Sequence, residues 1–347
     1  MLLEQEAATP PAPPHQRRLS HGKSGEAVLA RNPTCKLGVT LEFLVTFLQD
    51  LDEGFFQGDG DFTTDDLVEK FIKPAVKETQ CRYVDLIDQR FVMPPTVFVS
   101  HRWKGGFRFL VLRLMKQFKY ATDQAARHTS VWIDVFAVNQ NQNAETKQDI
   151  DGFESVIEAT RITAFNLDEK GEALRRIWCL YEVWKTFAHR GVDSLLVMSE
   201  GIDALALREV FYTVDVAKAE AFMQSDVDRI LADIKKEFDF LDFNRKVREA
   251  LLESTTRQVQ SVGTSGEAGG NADEQLASLH QHVTMLRTTG KFAEAVPVAQ
   301  RQLELAKNAH GEEHPGVALA LNCLAGLYES MGKYDDALPL FERSLAI

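Results

Sequence analysis

The sequence has few of the features that mark secreted, metal-binding or membrane-spanning proteins. Its four cysteines, in 347 residues, form neither a CxxC nor a CxxH pair, which argues against a zinc site or a disulfide framework. No run of 18 apolar residues occurs, and Glu4 and Glu6 stand where a signal peptide needs positive charge. We therefore expect a cytoplasmic protein with reduced thiols, no bound metal and no membrane partner.

Clustered basic residues and glycine-rich phosphate loops are also missing. The formal net charge is -12, and lysine and arginine are not gathered into patches, so we expect no nucleic-acid partner. Neither a GxGxxG nor a GxxxxGK[ST] motif occurs, which excludes the common nucleotide-switch modules. The hydrophobic fraction of 44% and charged fraction of 26% are typical of globular proteins, and the length suits two domains.

Composition and periodicity divide the chain into six segments. The predicted segments are a disordered Pro-rich and basic arm (1–34), a helical N-terminal extension (35–94), an α/β domain (95–218), a helical extension (219–254), a flexible Ser/Thr/Gly-rich linker (255–274) and helical repeats (275–347).

The α/β segment alternates short apolar runs with helical patterns. TVFVS, SVWIDVF, RITAFNL and SLLVM are the predicted strands, and FYTVDV is a candidate for a fifth. This alternation predicts a parallel sheet covered by helices on both faces. Ligands of such sheets bind beyond the carboxyl ends of the strands, near the topological switch point.

An internal repeat follows the predicted linker. GKFAEAVPVAQRQL begins at Gly290 and returns as GKYDDALPLFERSL at Gly332, 42 residues later. Glycine at each turn, with Ala295 and Ala337 at tight contacts, indicates stacked helix pairs. The segment resembles tetratricopeptide repeats of the kinesin-light-chain type, which implies a solenoid whose concave face binds a protein or peptide. Since solenoids usually need three repeats, we expect further repeats after Ile347.

One acid stands out in the stretch RRIWCLYEVWKTF. Every residue from Ile177 to Trp184 is apolar or aromatic except Glu182, which predicts a largely buried helix. Trp178 lies four residues before Glu182, on the same helix face. With TVFVSHRW, VWID and RITAFNL, the segment WCLYE resembles a divergent TIR (Toll/interleukin-1 receptor) domain, which implies a flavodoxin-like fold. Position by position, Glu182 matches the catalytic glutamate of TIR domains that consume NAD.

The resemblance implies NAD as the substrate, with nicotinamide and an ADP-ribose product, and self-association of TIR-like domains to complete the site. A carboxylate beside the ribose would stabilise the oxocarbenium-like transition state. Arg102 could hold a phosphate, and the Trp178 indole could stack on a base. The candidate NAD-binding residues are Ser100, His101, Arg102, Trp103, Asp134 and Trp178.

Each candidate also has a structural interpretation. Glu182 could instead pair with Lys185 or Arg102, His101 could be a loop histidine, and Asp134 could cap a turn. Three functions therefore stay open: a signalling scaffold with an NAD-hydrolysing TIR-like domain, a non-catalytic adaptor, and a kinesin-light-chain-like cargo-binding protein.

Overall fold

The computed structural model describes residues 34–54, 62–141, 144–200, 202, 204–264 and 272–347. The predicted disordered arm, except for its last residue, and residues 265–271 of the predicted linker lie outside this part of the chain. The chain forms two compact units. An α/β unit takes the described residues up to Asp168 together with Glu172–Glu200 and Lys218–Asp233, and a helical unit takes Glu169–Gly171, Gly201–Ala217 and Ile234–Ile347.

The α-helices of the described residues are, in chain order, α1 Leu41–Gly54, α2 Thr64–Leu67, α3 Lys73–Val76, α4 Phe107–Gln117, α5 Asp134–Ala137, α6 Ala144–Asp151, α7 Phe153–Ala159, α8 Ile177–Arg190, α9 Ala204–Tyr212, α10 Gln224–Ile234, α11 Phe240–Thr264, α12 Ala272–Thr288, α13 Phe292–His310, α14 Pro315–Ser330 and α15 Tyr334–Ala346. None of them has the length and apolarity needed to cross a membrane.

A mixed sheet forms the centre of the α/β unit. Its strands are β1 Gly38–Thr40, β2 Val92–Met93, β3 Val97–Ser100, β4 Ser130–Trp132, β5 Ile162–Asn166 and β6 Leu195–Met198. They lie in the order β2-β1-β4-β3-β5-β6. The pairs β3–β4, β3–β5 and β5–β6 are parallel, whereas β1 is antiparallel to both β2 and β4. The four predicted strands are thus present and parallel.

Strand β3 is the buried middle of the parallel set. All four of its residues are buried, and the Phe98 ring stacks on the Trp132 ring of β4 with centroids 5.0 Å apart. In β1, which lies between β2 and β4, Gly38 allows a close approach to β4, because a Cβ there would lie 2.3 Å from the Ser130 hydroxyl. The last residue of β3, Ser100, therefore lies inside the core.

Three predictions about the segments were wrong. Residues 35–94, predicted as a helical N-terminal extension, also supply β1 and β2, which are too short to show a strand period. FYTVDV is not a strand, because its first two residues end α9. The predicted linker begins too early, since α11 continues to Thr264. Thr255 and Thr256 are buried there, and their hydroxyls donate to backbone carbonyls four residues earlier, which satisfies polar groups that composition alone assigns to a linker.

The helical unit contains the same turn twice. Gly290 and Gly332 both adopt a left-handed backbone conformation, with φ of +76° and +74°. The N–H of Lys291 donates to the carbonyl five residues earlier at 2.9 Å, and the N–H of Lys333 does the same at 2.8 Å. Ala295 and its 42-residue counterpart Ala337 are both buried. The structure therefore confirms the repeat as two helix pairs, α12–α13 and α14–α15.

Candidate functional site

The lone acid of α8 lies at the end of β3. Glu182 is 7% exposed, and Ser100, the last residue of β3, is 1% exposed. The Ser100 hydroxyl donates a hydrogen bond of 2.5 Å to Glu182 Oε2. Most residues of α8 are buried, and the hydrogen bond to Ser100 places the acid at the carboxyl end of β3.

No basic side chain of the described residues neutralises Glu182. Its two expected partners are engaged elsewhere, since Lys185 Nζ lies 2.8 Å from Glu154 and Arg102 lies 3.7 Å from Glu172. Burial raises the pKa of Glu182 from 4.5 to about 8; the Ser100 hydrogen bond opposes this rise, and the negative charge of Asp134 adds to it. At neutral pH the carboxyl is therefore mostly protonated.

His101 and Asp134 adjoin this pair. His101 Nε2 lies 3.9 Å from Asp134 Oδ1 and has no hydrogen-bond partner, although the side chain is buried. Burial lowers the pKa of His101, so the ring is neutral. Asp134 accepts hydrogen bonds from the Trp103 indole at 2.7 Å and from the N–H of Val135 at 2.8 Å. Asp134, the first residue of α5, thus binds the backbone N–H that follows it and also lies near the histidine.

Cys179 was not among the predicted site residues, yet it joins this group. Its thiol lies 3.6 Å from the backbone carbonyl of His101. Burial, followed by the nearby Glu182 carboxyl, raises the pKa of Cys179 well above its usual value, so the thiol stays protonated. No sequence signal marks this contact. We call Ser100, His101, Asp134, Cys179 and Glu182 the Glu182 cluster.

Two predicted residues lie apart from the Glu182 cluster. The Trp178 indole donates to Asp226 at 3.2 Å, packs against Phe153 with centroids 5.3 Å apart, and is covered by the Arg229 guanidinium. It is therefore not free to stack on a base in this structure. Arg102 is partly exposed and pairs with Glu172, so it does not form an ion pair with Glu182.

A second group of polar side chains lies between α7 and α8. Glu154, Glu158 and His189 place three ligand atoms within 4.8 Å of one another, which suits a metal ion. The Lys185 ammonium, 2.8 Å from Glu154, already supplies a positive charge there, and all three residues are at least partly exposed. Ion pairing accounts for this group without a metal.

Comparison with known proteins identifies the C-terminal region. Residues 274–347 match the family model described as "Tetratricopeptide repeat", which agrees with the two helix pairs and their twin turns. No curated protein matches the chain.

Proposed function

We propose that this protein is a signalling scaffold, in which tetratricopeptide repeats bind a protein or peptide and a TIR-like α/β unit carries the response. The observation behind the binding role is the family match over 274–347, combined with the repeated Gly290 and Gly332 turns. Repeats of this kind stack into a concave surface that suits an extended partner.

The strand order supports the TIR-like, flavodoxin-like part of the proposal. Counted along the chain, the parallel strands β3, β4, β5 and β6 lie in the order second, first, third, fourth. This is the order of the first four strands in the flavodoxin-like fold. Self-association of the unit is part of the proposal, and the exposed Phe109 and Leu112 on α4 offer apolar surface for it.

We further propose that the α/β unit hydrolyses NAD to nicotinamide and an ADP-ribose product through Glu182. The supporting observation is that a buried acid with no basic partner among the described residues meets the end of the central strand, where ligands of such sheets bind. In its ionised form, Glu182 would stabilise the positive charge that develops on the ribose. Because the pKa of Glu182 is about 8, only about a tenth of the molecules carry that charge at pH 7.

Nicotinamide release from NAD tests the catalytic proposal directly. The full chain at high concentration, with a crowding agent, is compared with the Glu182→Gln variant and with Glu158→Gln, an exposed acid on α7 that serves as the matched control. We expect release from the wild type and the control, rising with pH toward pH 8, and none from Glu182→Gln. The absence of release from all three would favour the adaptor.

Selection of binding peptides from a displayed library, with the full chain as the target, tests the binding role. The first helices of the two pairs are in contact, since Cys323 Sγ of α14 lies 3.5 Å from His280 Nδ1 of α12. Leu319, one turn before Cys323 on α14, is 48% exposed. For peptides selected in this way, Leu319→Glu should weaken binding at least about tenfold. Leu345→Glu on α15, where Leu345 is 90% exposed, is the matched control. Equal effects of the two variants would argue against the concave face.

A further inference from the structure

We infer that the α/β unit has a second ligand site, which binds a small phosphate-bearing molecule in a cleft between the helical segment 68–77 and the loop 139–141. None of the residues that line this cleft belongs to the Glu182 cluster. The inference therefore goes beyond the proposed function and depends neither on NAD nor on Glu182.

The cleft is open to solvent and has a volume of about 490 Å³. This volume lies within the range of small-molecule sites. Apart from one proline its lining is polar, and it comes from two walls: Glu69, Lys73, Pro74 and Lys77 on the helical side, and Gln140 and Asn141 on the loop side. A lining of this kind suits a small hydrophilic molecule. We call it the Lys77 cleft.

A π-helical turn shapes the helical wall. It spans Val68–Ile72, between α2 and α3, and the N–H of Lys73 donates to the carbonyl of Val68, five residues earlier. The wider turn directly precedes Pro74, which has no N–H and whose ring would crowd the carbonyl four residues earlier in a regular α-helix. Turns of this kind are rare and frequently occur at functional sites. Lys73 and Lys77, four residues apart, share the face that lines the cleft.

A buried ion pair holds the loop wall in place. Arg82 and Asp149 are 4% and 1% exposed, and the Arg82 Nε atom donates to Asp149 at 3.0 Å. The same carboxylate accepts the N–H of Asn139 at 3.0 Å, and the Asn139 amide donates to Glu145 at 2.6 Å. The loop is therefore fixed at its first residue before any ligand binds, which lowers the entropic cost of binding.

Gln140 supplies a hydrogen-bond acceptor. Its Nε2 atom donates to the backbone carbonyls of Asp134 and Val138, at 3.3 Å and 3.2 Å, and these bonds set the orientation of the amide. Its Oε1 atom accepts no hydrogen bond from a described residue. Because the amide nitrogen is bound to the backbone, the oxygen is left for a hydroxyl or N–H group of a ligand.

Lys77 gives the cleft an uncompensated positive charge. Lys73 pairs with Glu69, whereas the Lys77 ammonium is exposed and forms no ion pair with a described residue. A phosphate dianion interacts more strongly with an ammonium group than a singly charged carboxylate does. The ligand that fits both walls therefore carries a phosphate group for Lys77 and a hydroxyl group for Gln140, a combination that sugar phosphates have.

Ligand-observed NMR titrations with three probes test the inference. The full chain, in phosphate-free buffer, is titrated with ribose 5-phosphate, with ribose and with inorganic phosphate. We expect ribose 5-phosphate to bind at least about tenfold more tightly than either of the others, because it alone contacts both walls. Equal affinity for ribose, equal affinity for inorganic phosphate, or no binding of ribose 5-phosphate up to about 10 mM would overturn the inference.

Variants separate the cleft from general attraction of anions. Lys77→Met should weaken the binding of ribose 5-phosphate at least about tenfold, while Lys77→Arg, which keeps the charge, should stay within about threefold of the wild type. Lys36→Met, at an exposed lysine of the same unit outside the cleft, is the matched control and should change nothing. Gln140→Met should remove the preference for ribose 5-phosphate over inorganic phosphate.

Circular dichroism of each variant checks that the fold is retained, and Lys77 is exposed, so its replacement leaves the core intact. Equal losses of affinity in Lys77→Met and Lys36→Met would show non-specific attraction and would overturn the inference.

Discussion

Replacing Glu182 by glutamine should stabilise the α/β unit at neutral pH, although the side chain is buried and hydrogen-bonded. The carboxyl titrates near 4.5 in the unfolded chain and near 8 in the folded one, so unfolding at pH 7 releases a proton. Because the folded pKa lies above the unfolded value, the contribution of this carboxyl to stability is fully present below pH 4.5 and is lost as the pH rises toward 8. Glutamine does not titrate, and its Oε1 can still accept the Ser100 hydrogen bond.

The magnitude follows from the gap between the two pKa values. From 4.5 to pH 7, each pH unit weakens folding by about 1.4 kcal/mol, which gives about 3 kcal/mol at pH 7. Relaxation of the site makes this an upper value. Glu182→Gln should therefore raise the free energy of unfolding by up to about 3 kcal/mol at pH 7 and change it little at pH 4.

Urea unfolding followed by tryptophan fluorescence measures this change. All four tryptophans, Trp103, Trp132, Trp178 and Trp184, belong to the α/β unit, so their emission reports on that unit alone. Unfolding curves are recorded at pH 4, 5, 6, 7 and 8 for the wild type, Glu182→Gln and the exposed control Glu158→Gln. A difference that does not grow with pH, or a destabilised Glu182→Gln at pH 7, would refute the reasoning.

Three further predictions concern single side chains. Ser100→Ala removes the hydrogen bond that holds the pKa of Glu182 down, so carbon-13 NMR of the carboxyl should show that pKa above 8, and an unchanged value would exclude this coupling. Gly38→Ala should destabilise the α/β unit by about 2 kcal/mol or more in urea, because its Cβ would lie 2.3 Å from Ser130 Oγ and 2.9 Å from a backbone carbonyl oxygen; an unchanged midpoint would contradict the packing at β1. Burial lowers the pKa of His282 from 6.5, so the helical unit should lose stability as the pH falls below 6.5, where the unfolded chain binds the proton first. Hydrogen exchange in α12 should show this loss for the wild type and a smaller one for His282→Leu.

The sequence predicts the features that depend on near neighbours. The 42-residue period places both glycine turns, because each turn is held by hydrogen bonds to carbonyls at most five residues away. The apolar surroundings of Glu182 predict its burial, because helix period is a local property. The two short strands β1 and β2, by contrast, are defined by pairing with distant parts of the chain, because strands of three and two residues are too short to show a period.

The partners of the buried acid depend on the order of the strands. Ser100 and Glu182 are 82 residues apart, and they meet because β3 lies in the middle of the parallel strands. Helical spacing predicts one shared face for Trp178 and Glu182, but the indole bonds to Asp226, which lies 48 residues further along the chain. Spacing along one helix therefore identifies residues that share a face, and tertiary packing decides which of them reach the site.

The twin turns at Gly290 and Gly332 have a consequence for how this region can change in length. Each turn satisfies its own backbone groups within a few residues, and both use the same bonds at equivalent positions. Recombination between the two copies would therefore add or remove 42 residues, a complete helix pair, with every junction already compatible. The repeats thus form an array that can be lengthened or shortened in whole units while the sheet and the Glu182 cluster keep their sequence.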